Sequence, residues 1–132
     1  MARKLLFFVS DGNINNILTT IMVAIESRES ECEASVILTE AAIPILIEGK
    51  LTLAPPLEGY AGTIRKNLRQ ITAGSKPMYD RARDAGVSLY VSETWLQLLG
   101  IEKEKVPLQF EVLPMQNIVE LIRESDVVIG KI

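Results

Sequence analysis

The chain alternates short, continuously apolar runs with longer segments in which apolar residues recur every three or four positions. The first two apolar runs are Leu5–Val9 and Ala34–Leu38. Such runs are typical of strands that are buried on both faces of a parallel sheet. The residues between them predict an amphipathic helix over 14–28, carried by Ile14, Ile17, Leu18, Ile21 and Ile25. A strand-helix-strand unit of this kind requires a crossover, which is almost always right-handed.

The last third of the chain repeats this alternation. Strands are predicted over 87–91, 108–113 and 126–129, and helices over 93–99 and 114–124. Ser92 and Pro114 suit helix starts, and Gly100 suits a helix end. About five strands alternating with helices predict an α/β protein, a flavodoxin-like three-layer α/β/α sandwich with a mostly parallel sheet. We expect residues 1–132 to form one domain.

Residues 40–86 are the least regular part of the chain. Pro44 and Gly49 suit the two ends of a short helix, and residues 54–56 indicate a break. Helical spacing over 57–71 predicts a second helix that ends at Gly74. Ser75 and Pro77 then suit the start of a third helix, which ends at Gly86. This connection is longer than a plain crossover needs. Extra elements of this kind serve as lids or as contacts between subunits.

Composition narrows the function classes. The chain is 48% apolar and has a net charge of -3, which gives no attraction to nucleic acid or to anionic lipid. The sequence has no histidine, which removes the commonest general base and metal ligand, and we expect no metal and no cofactor. Cys32, the single cysteine, lies between two glutamates that disfavour a thiolate, so we expect it to be inert. No apolar run has the length of a signal-peptide core or a membrane span, which predicts a cytoplasmic protein.

The candidate chemistry lies in two polar loops that follow predicted strands. In open α/β sheets, ligands bind beyond the carboxyl ends of the strands where the strand order reverses. In a flavodoxin-like order that point lies between the first and third strands, so we expect the loops after Val9 and Val91 to lie side by side. The crevice residues are then Ser10, Asp11, Gly12, Asn13, Ser92, Glu93 and Thr94.

Each of these residues also has a purely local interpretation. Asp11 before Gly12 is ordinary turn chemistry, and Asn13 and Ser92 are ordinary helix caps. Trp95 has helical spacing with neighbouring leucines, which favours a place in the core or in an interface.

With these elements placed, the chain resembles the DsrE/DsrF-like family of sulfur-relay proteins. The resemblance is carried by Lys4–Gly12, by Gly86–Ser92 with the following Leu99–Ile101, and by Glu124–Ile129. It implies a flavodoxin-like fold and assembly into dimers, trimers or hexamers. It also implies a persulfide-carrying cysteine just after the strand that precedes the Leu-Gly-Ile helix. That position corresponds to Ser92 or to a residue within one or two of it, and this chain has no cysteine there. A serine hydroxyl cannot hold a persulfide.

The sequence leaves several functions open. The first is a non-catalytic binding or accessory subunit linked to sulfur metabolism, with a sulfur-relay protein as a possible partner. The second is a flavin mononucleotide or another phosphate ligand at the 10–13 loop. The third is a sulfurtransferase, or a hydrolytic enzyme with Asp11 or Glu93 as general base. We also expect a homo-oligomer, because the mean hydropathy of +0.21 is high for a small domain, and expect contacts through 50–75 or the Trp95 helix.

Overall fold

The computed structural model describes residues 2–48, 53, 55–71 and 78–130. Its strands are β1 (Lys4–Val9), β2 (Glu33–Leu38), β3 (Ser88–Ser92), β4 (Glu111–Leu113) and β5 (Val127–Ile129). Its helices are α1 (Ile14–Glu29), α2 (Ala42–Glu48), α3 (Ala61–Ile71), α4 (Met78–Asp84), α5 (Glu93–Leu99) and α6 (Met115–Glu124). Two 3-10 helices cover Pro55–Tyr60 and Lys103–Lys105.

The five strands form one sheet in the order β4-β3-β2-β1-β5, and every neighbouring pair is parallel. This arrangement confirms the predicted α/β class with helices on both sides of a parallel sheet. The predicted strand order is wrong, because β2 lies between β1 and β3. The order reverses between β1 and β5, where the connection from β4 passes over the whole sheet to the far side of β1.

The two faces of the sheet are covered to different extents. On the first face, residues of α1, α2, α4 and α5 form a large core with Phe7, Val36, Leu38, Leu89 and Val91. On the second face, Ile118 of α6 packs on a small core made of Leu6, Phe8, Ile37 and Leu113. We call these the α1 face and the α6 face. The alternation of side chains along each strand produces both cores from one continuously apolar sequence.

The half of the α6 face that lies over β2 and β3 is polar at the amino ends of the strands. Ser35 and Ser88 are register partners there, and Tyr90 is half-buried beside them. A groove of about 380 Å³ runs over these residues between Lys4 and Leu121. Hydroxyl groups at these positions are solvated, which explains why no apolar side chain is needed to cover them.

Most helix ends follow the predicted chemistry. Gly100 ends α5 in the left-handed conformation with φ 68°, and Gly86 takes φ 93° after α4. Pro114 stands at the N-cap position of α6. Trp95 is partly buried and packs against the core of the α1 face, as predicted. The predictions for Gly49, Gly74, Ser75 and Pro77 lie outside the described residues.

The predicted strand over 108–113 is too long. The strand begins only at Glu111, and Leu108 is 96% exposed. A turn occupies the preceding residues, closed by a hydrogen bond of 3.0 Å from the Phe110 amide to the Pro107 carbonyl oxygen. The alternating pattern was therefore only partly a strand signal, because Pro107 starts a turn at that point.

Candidate functional site

The two loops predicted to form a crevice leave the sheet at the same rim but are not neighbours. Both follow the carboxyl ends of parallel strands, β1 and β3. Since β2 lies between them and strands are spaced about 4.8 Å apart, the two strand ends are roughly 10 Å apart. The residues that follow β2 therefore belong between the two loops.

The loop after β1 is organised by Asp11. Its carboxylate accepts a hydrogen bond of 2.9 Å from the Asn13 backbone amide and a second from the Asn16 side-chain amide. Asn13 occupies the N-cap position of α1 but makes no capping bond with its own side chain. The carboxylate thus satisfies a free amide at the helix start, which is where a phosphate would have to bind. This geometry opposes the phosphate-loop interpretation.

The segment after β2 joins the loop after β1 through its backbone. The Thr39 amide donates to the Val9 carbonyl oxygen at 3.0 Å, and the Ala41 amide donates to the Ser10 carbonyl oxygen at 3.1 Å. Between them, Glu40 adopts the left-handed conformation with φ 53°. A non-glycine residue in this region is strained by about 1 kcal/mol or more. Sequence reasoning missed Thr39 and Glu40 because it did not place β2 at the centre of this rim.

Ser92 is completely buried at the end of β3. Its hydroxyl oxygen accepts a hydrogen bond of 3.4 Å from the Trp95 backbone amide, so the side chain caps α5. The predicted cap is confirmed. The hydroxyl is therefore engaged in the helix start, and the chain has no histidine, which is the commonest base that activates a serine nucleophile.

The next two residues lie at the start of α5. Glu93 is about one-quarter exposed, and its carboxylate forms an ion pair of 2.9 Å with the Lys103 ammonium group. Thr94 is partly exposed beside it. No local pattern predicts this ion pair, because Lys103 lies in the 3-10 helix after α5 and its position depends on the turn at Gly100.

A cleft of about 490 Å³ opens at this rim between α2 and the segment after α5. Pro44, Ile47 and Ile101 give it apolar walls, and Glu48, Glu102 and Lys105 give it charged ones. Clefts of several hundred Å³ with apolar walls and a few polar groups suit small ligands. Neither Ser10 nor Asn13 lines this cleft.

Cys32 lies at the other end of the sheet. It directly precedes β2, while Ser92 ends the neighbouring parallel strand β3. Because a strand rises about 3.3 Å per residue, six-residue β2 puts roughly 20 Å between the two rims. The thiol is partly buried beside exposed Met22 and Val23 of α1.

The described residues contain neither a metal-binding cluster nor a membrane-spanning helix. Within 2–48, 53, 55–71 and 78–130, no three acidic or sulfur-bearing side chains lie close enough together to hold a metal ion. In the same ranges, none of the helices has the length and apolar character needed to cross a bilayer.

Comparison with known proteins gives a structural likeness only. No protein-family model matches the chain, and no curated protein matches it. A protein of unknown function from Methanobacterium thermoautotrophicum, MTH1491, superposes with a TM-score of 0.61 at 12% identity, over 97% of this chain and 99% of that one. The ychN protein from E. coli superposes with a TM-score of 0.59 at 18% identity, over 98% of each chain. At these identities the comparison shows the fold alone, and that fold is similar to the folds of MTH1491 and the ychN protein.

Proposed function

We propose that this protein is a DsrE-like, oligomeric accessory subunit linked to sulfur metabolism, which binds a small molecule or a protein partner and does not itself carry sulfur. The observation that supports it most is the place of Ser92. The resemblance puts the sulfur-carrying cysteine at this position, and here a buried serine caps a helix instead.

The location of Cys32 supports the same proposal. A relay cysteine has to meet its donor and acceptor at the rim where the family carries sulfur. Cys32 lies roughly 20 Å away, at the amino end of the sheet, beside apolar side chains of α1.

The cleft between α2 and the segment after α5 is the natural place for a ligand. It lies at the rim where α/β sheets bind ligands, although not at the point where this strand order reverses. Its apolar walls and its charged border fit a small amphipathic molecule or an extended segment of a partner. A sulfur-relay protein is the partner class that the family resemblance suggests.

Sulfur transfer is the direct test. Wild type and Cys32→Ser are incubated with inorganic polysulfide, freed of excess donor and mixed with a thiol acceptor, and sulfur is followed by mass spectrometry. We expect no sulfur to reach the acceptor from either protein. Transfer by wild type that disappears in Cys32→Ser would overturn the proposal.

A second measurement tests the structural role of Ser92. Ser92→Ala removes the cap of α5 and is expected to lower the free energy of unfolding by about 1 kcal/mol. Ser88→Ala changes an exposed serine of the same strand and serves as the control. Equal stability of the two variants would show that the Ser92 hydroxyl is not needed for the helix start and is free for another role.

A further inference from the structure

We propose that two copies of this chain pair through the β5 edge, so that their sheets join into one continuous sheet of ten strands. This inference rests on the oligomeric part of the proposed function and names the surface that carries it. The β5 edge consists of Val127, Val128 and Ile129, with the neighbouring side of α6 formed by Met115 and Val119.

The backbone of β5 is open to a further strand. Among the described strands, β5 pairs with β1 alone, so its other side presents backbone donors and acceptors to solvent. Backbone groups in this arrangement are satisfied best by another strand, which makes an unprotected edge a template for pairing.

The two edges of the sheet differ in their protection. At the β4 edge, Glu111 is exposed, and prolines stand at 107 and 114 on either side of the strand. Charged residues and prolines are the usual devices that block edge pairing. Within β5 there is neither a charged residue nor a proline, and Val128 and Ile129 are 36% and 44% exposed. The three residues of β5 itself therefore carry no charge, whereas β4 carries the charge of Glu111.

The apolar surface continues from β5 onto α6. Val128 is the register partner of Leu6, so both side chains lie on the α6 face. On α6, Met115 and Val119 are one turn apart and both are 47% exposed. Leu121 and Glu124 line the groove over β2 and β3, so the helical period turns Met115 and Val119 toward β5.

These features favour a second copy as the occupant. An antiparallel two-fold arrangement centred on Val128 places the same uncharged residues opposite one another, as an isologous interface requires. The nearest charges on α6, Glu120 and Arg123, neutralise each other at 3.2 Å. Two copies can therefore approach through this surface without the repulsion that a net charge of -3 produces elsewhere.

The first test is the mass in solution by light scattering. We expect wild type to have an even number of 14.6 kDa subunits, and Val128→Lys to have half of that mass. Leu108→Lys is the matched control, since Leu108 is an exposed apolar residue next to the opposite edge. Circular dichroism checks that each variant is folded. The proposal is overturned if folded Val128→Lys keeps the wild-type mass.

The second test reports the pairing itself. In the Cys32→Ser background, Val128→Cys places two thiols directly opposite each other across the two-fold axis, at a Cβ separation of about 5 Å. Mild oxidation is expected to give a covalent dimer, and Leu108→Cys is expected to give none. Absence of the Val128→Cys dimer contradicts β5 pairing. If the wild type is monomeric at high concentration, the proposal that the protein is an oligomer is contradicted as well. If the protein is an oligomer whose mass does not change in Val128→Lys and which forms no covalent dimer in Val128→Cys, only pairing through the β5 edge is contradicted.

Discussion

The two faces of the sheet are buried by helices to different extents. Among the described residues, the α1 face is covered mainly by four helices, with α3 packed beside them, and the strand residues that point to it are apolar throughout the centre. The α6 face is closed by one helix, over β1, and becomes polar where that helix no longer reaches. Parallel sheets are normally buried on both faces. Ser35 of β2 and Ser88 of β3 show that half of one face has instead been adapted to water.

The largest expected effect is on the α1 face. Ile21 is fully buried between α1 and the sheet, and Ile21→Ala leaves a cavity that four helices hold open. We expect a loss of about 4 kcal/mol in the free energy of unfolding, measured by urea denaturation. Exposed Met22 on the same helix is the control, and Met22→Ala is expected to change stability by under about 1 kcal/mol.

The corresponding change on the α6 face is expected to be smaller. Ile118 is 4% exposed, and Ile118→Ala removes the main contact of α6 with the sheet. Because a single helix can settle onto the sheet, we expect a loss of about 2 kcal/mol. Gln116→Ala, at an exposed position of the same helix outside the β5 edge surface, is the control. A loss equal to that of Ile21→Ala would show that the two faces are packed equally tightly.

The pH dependence of stability at alkaline pH tests whether the α1 face excludes water. Tyr79 packs edge-on against Phe110 beside this core, and burial raises the pKa of its phenol above 10.0. The unfolded chain therefore ionises first, so the stabilising contribution is complete below about pH 10 and is lost as the pH rises through the folded pKa. Tyr79→Phe is expected to flatten the fall in stability above pH 10. An unchanged slope would mean that water reaches the phenol.

The smallest effect is expected on the polar half of the α6 face. Ser35 is partly buried and faces the groove over β2 and β3. Ser35→Val is expected to change the free energy of unfolding by no more than about 0.5 kcal/mol, since nothing packs closely on the new side chain. Thermal unfolding of Ser35→Val and Ser88→Ala measures this. A strong destabilisation would show that the half-face is a packed part of the protein.

Much of this fold follows from local patterns, and the reason is visible in particular elements. The apolar run Leu5–Val9 became β1, the apolar spacing over 14–28 became α1, and Ser92 and Gly100 delimit α5. Each of these signals is complete within a few residues. The strand over 108–113 was overextended because alternation alone cannot show that Pro107 begins a turn.

The candidate site was predicted less well, because it depends on strand order. Every strand of a parallel sheet ends in a polar loop, so nothing within 10–13 or 92–95 shows that β2 separates them. The ion pair between Glu93 and Lys103 and the left-handed backbone conformation of Glu40 also depend on the strand order. What could be predicted was the rim at which the residues lie. Which residues meet there required the tertiary structure.

The position of β1 has a consequence for synthesis. Its amide at Lys4 bonds the carboxylate of Asp126, a separation of 122 residues along the chain. Directly after β5, Gly130 lies so close to β1 that it leaves no space for a side chain, because a Cβ atom there would overlap the Phe8 carbonyl oxygen. A nascent chain emerging from the ribosome must therefore keep this flank of β1 unpaired until β5 has been translated. During that interval this flank is the part of the molecule most in need of a chaperone.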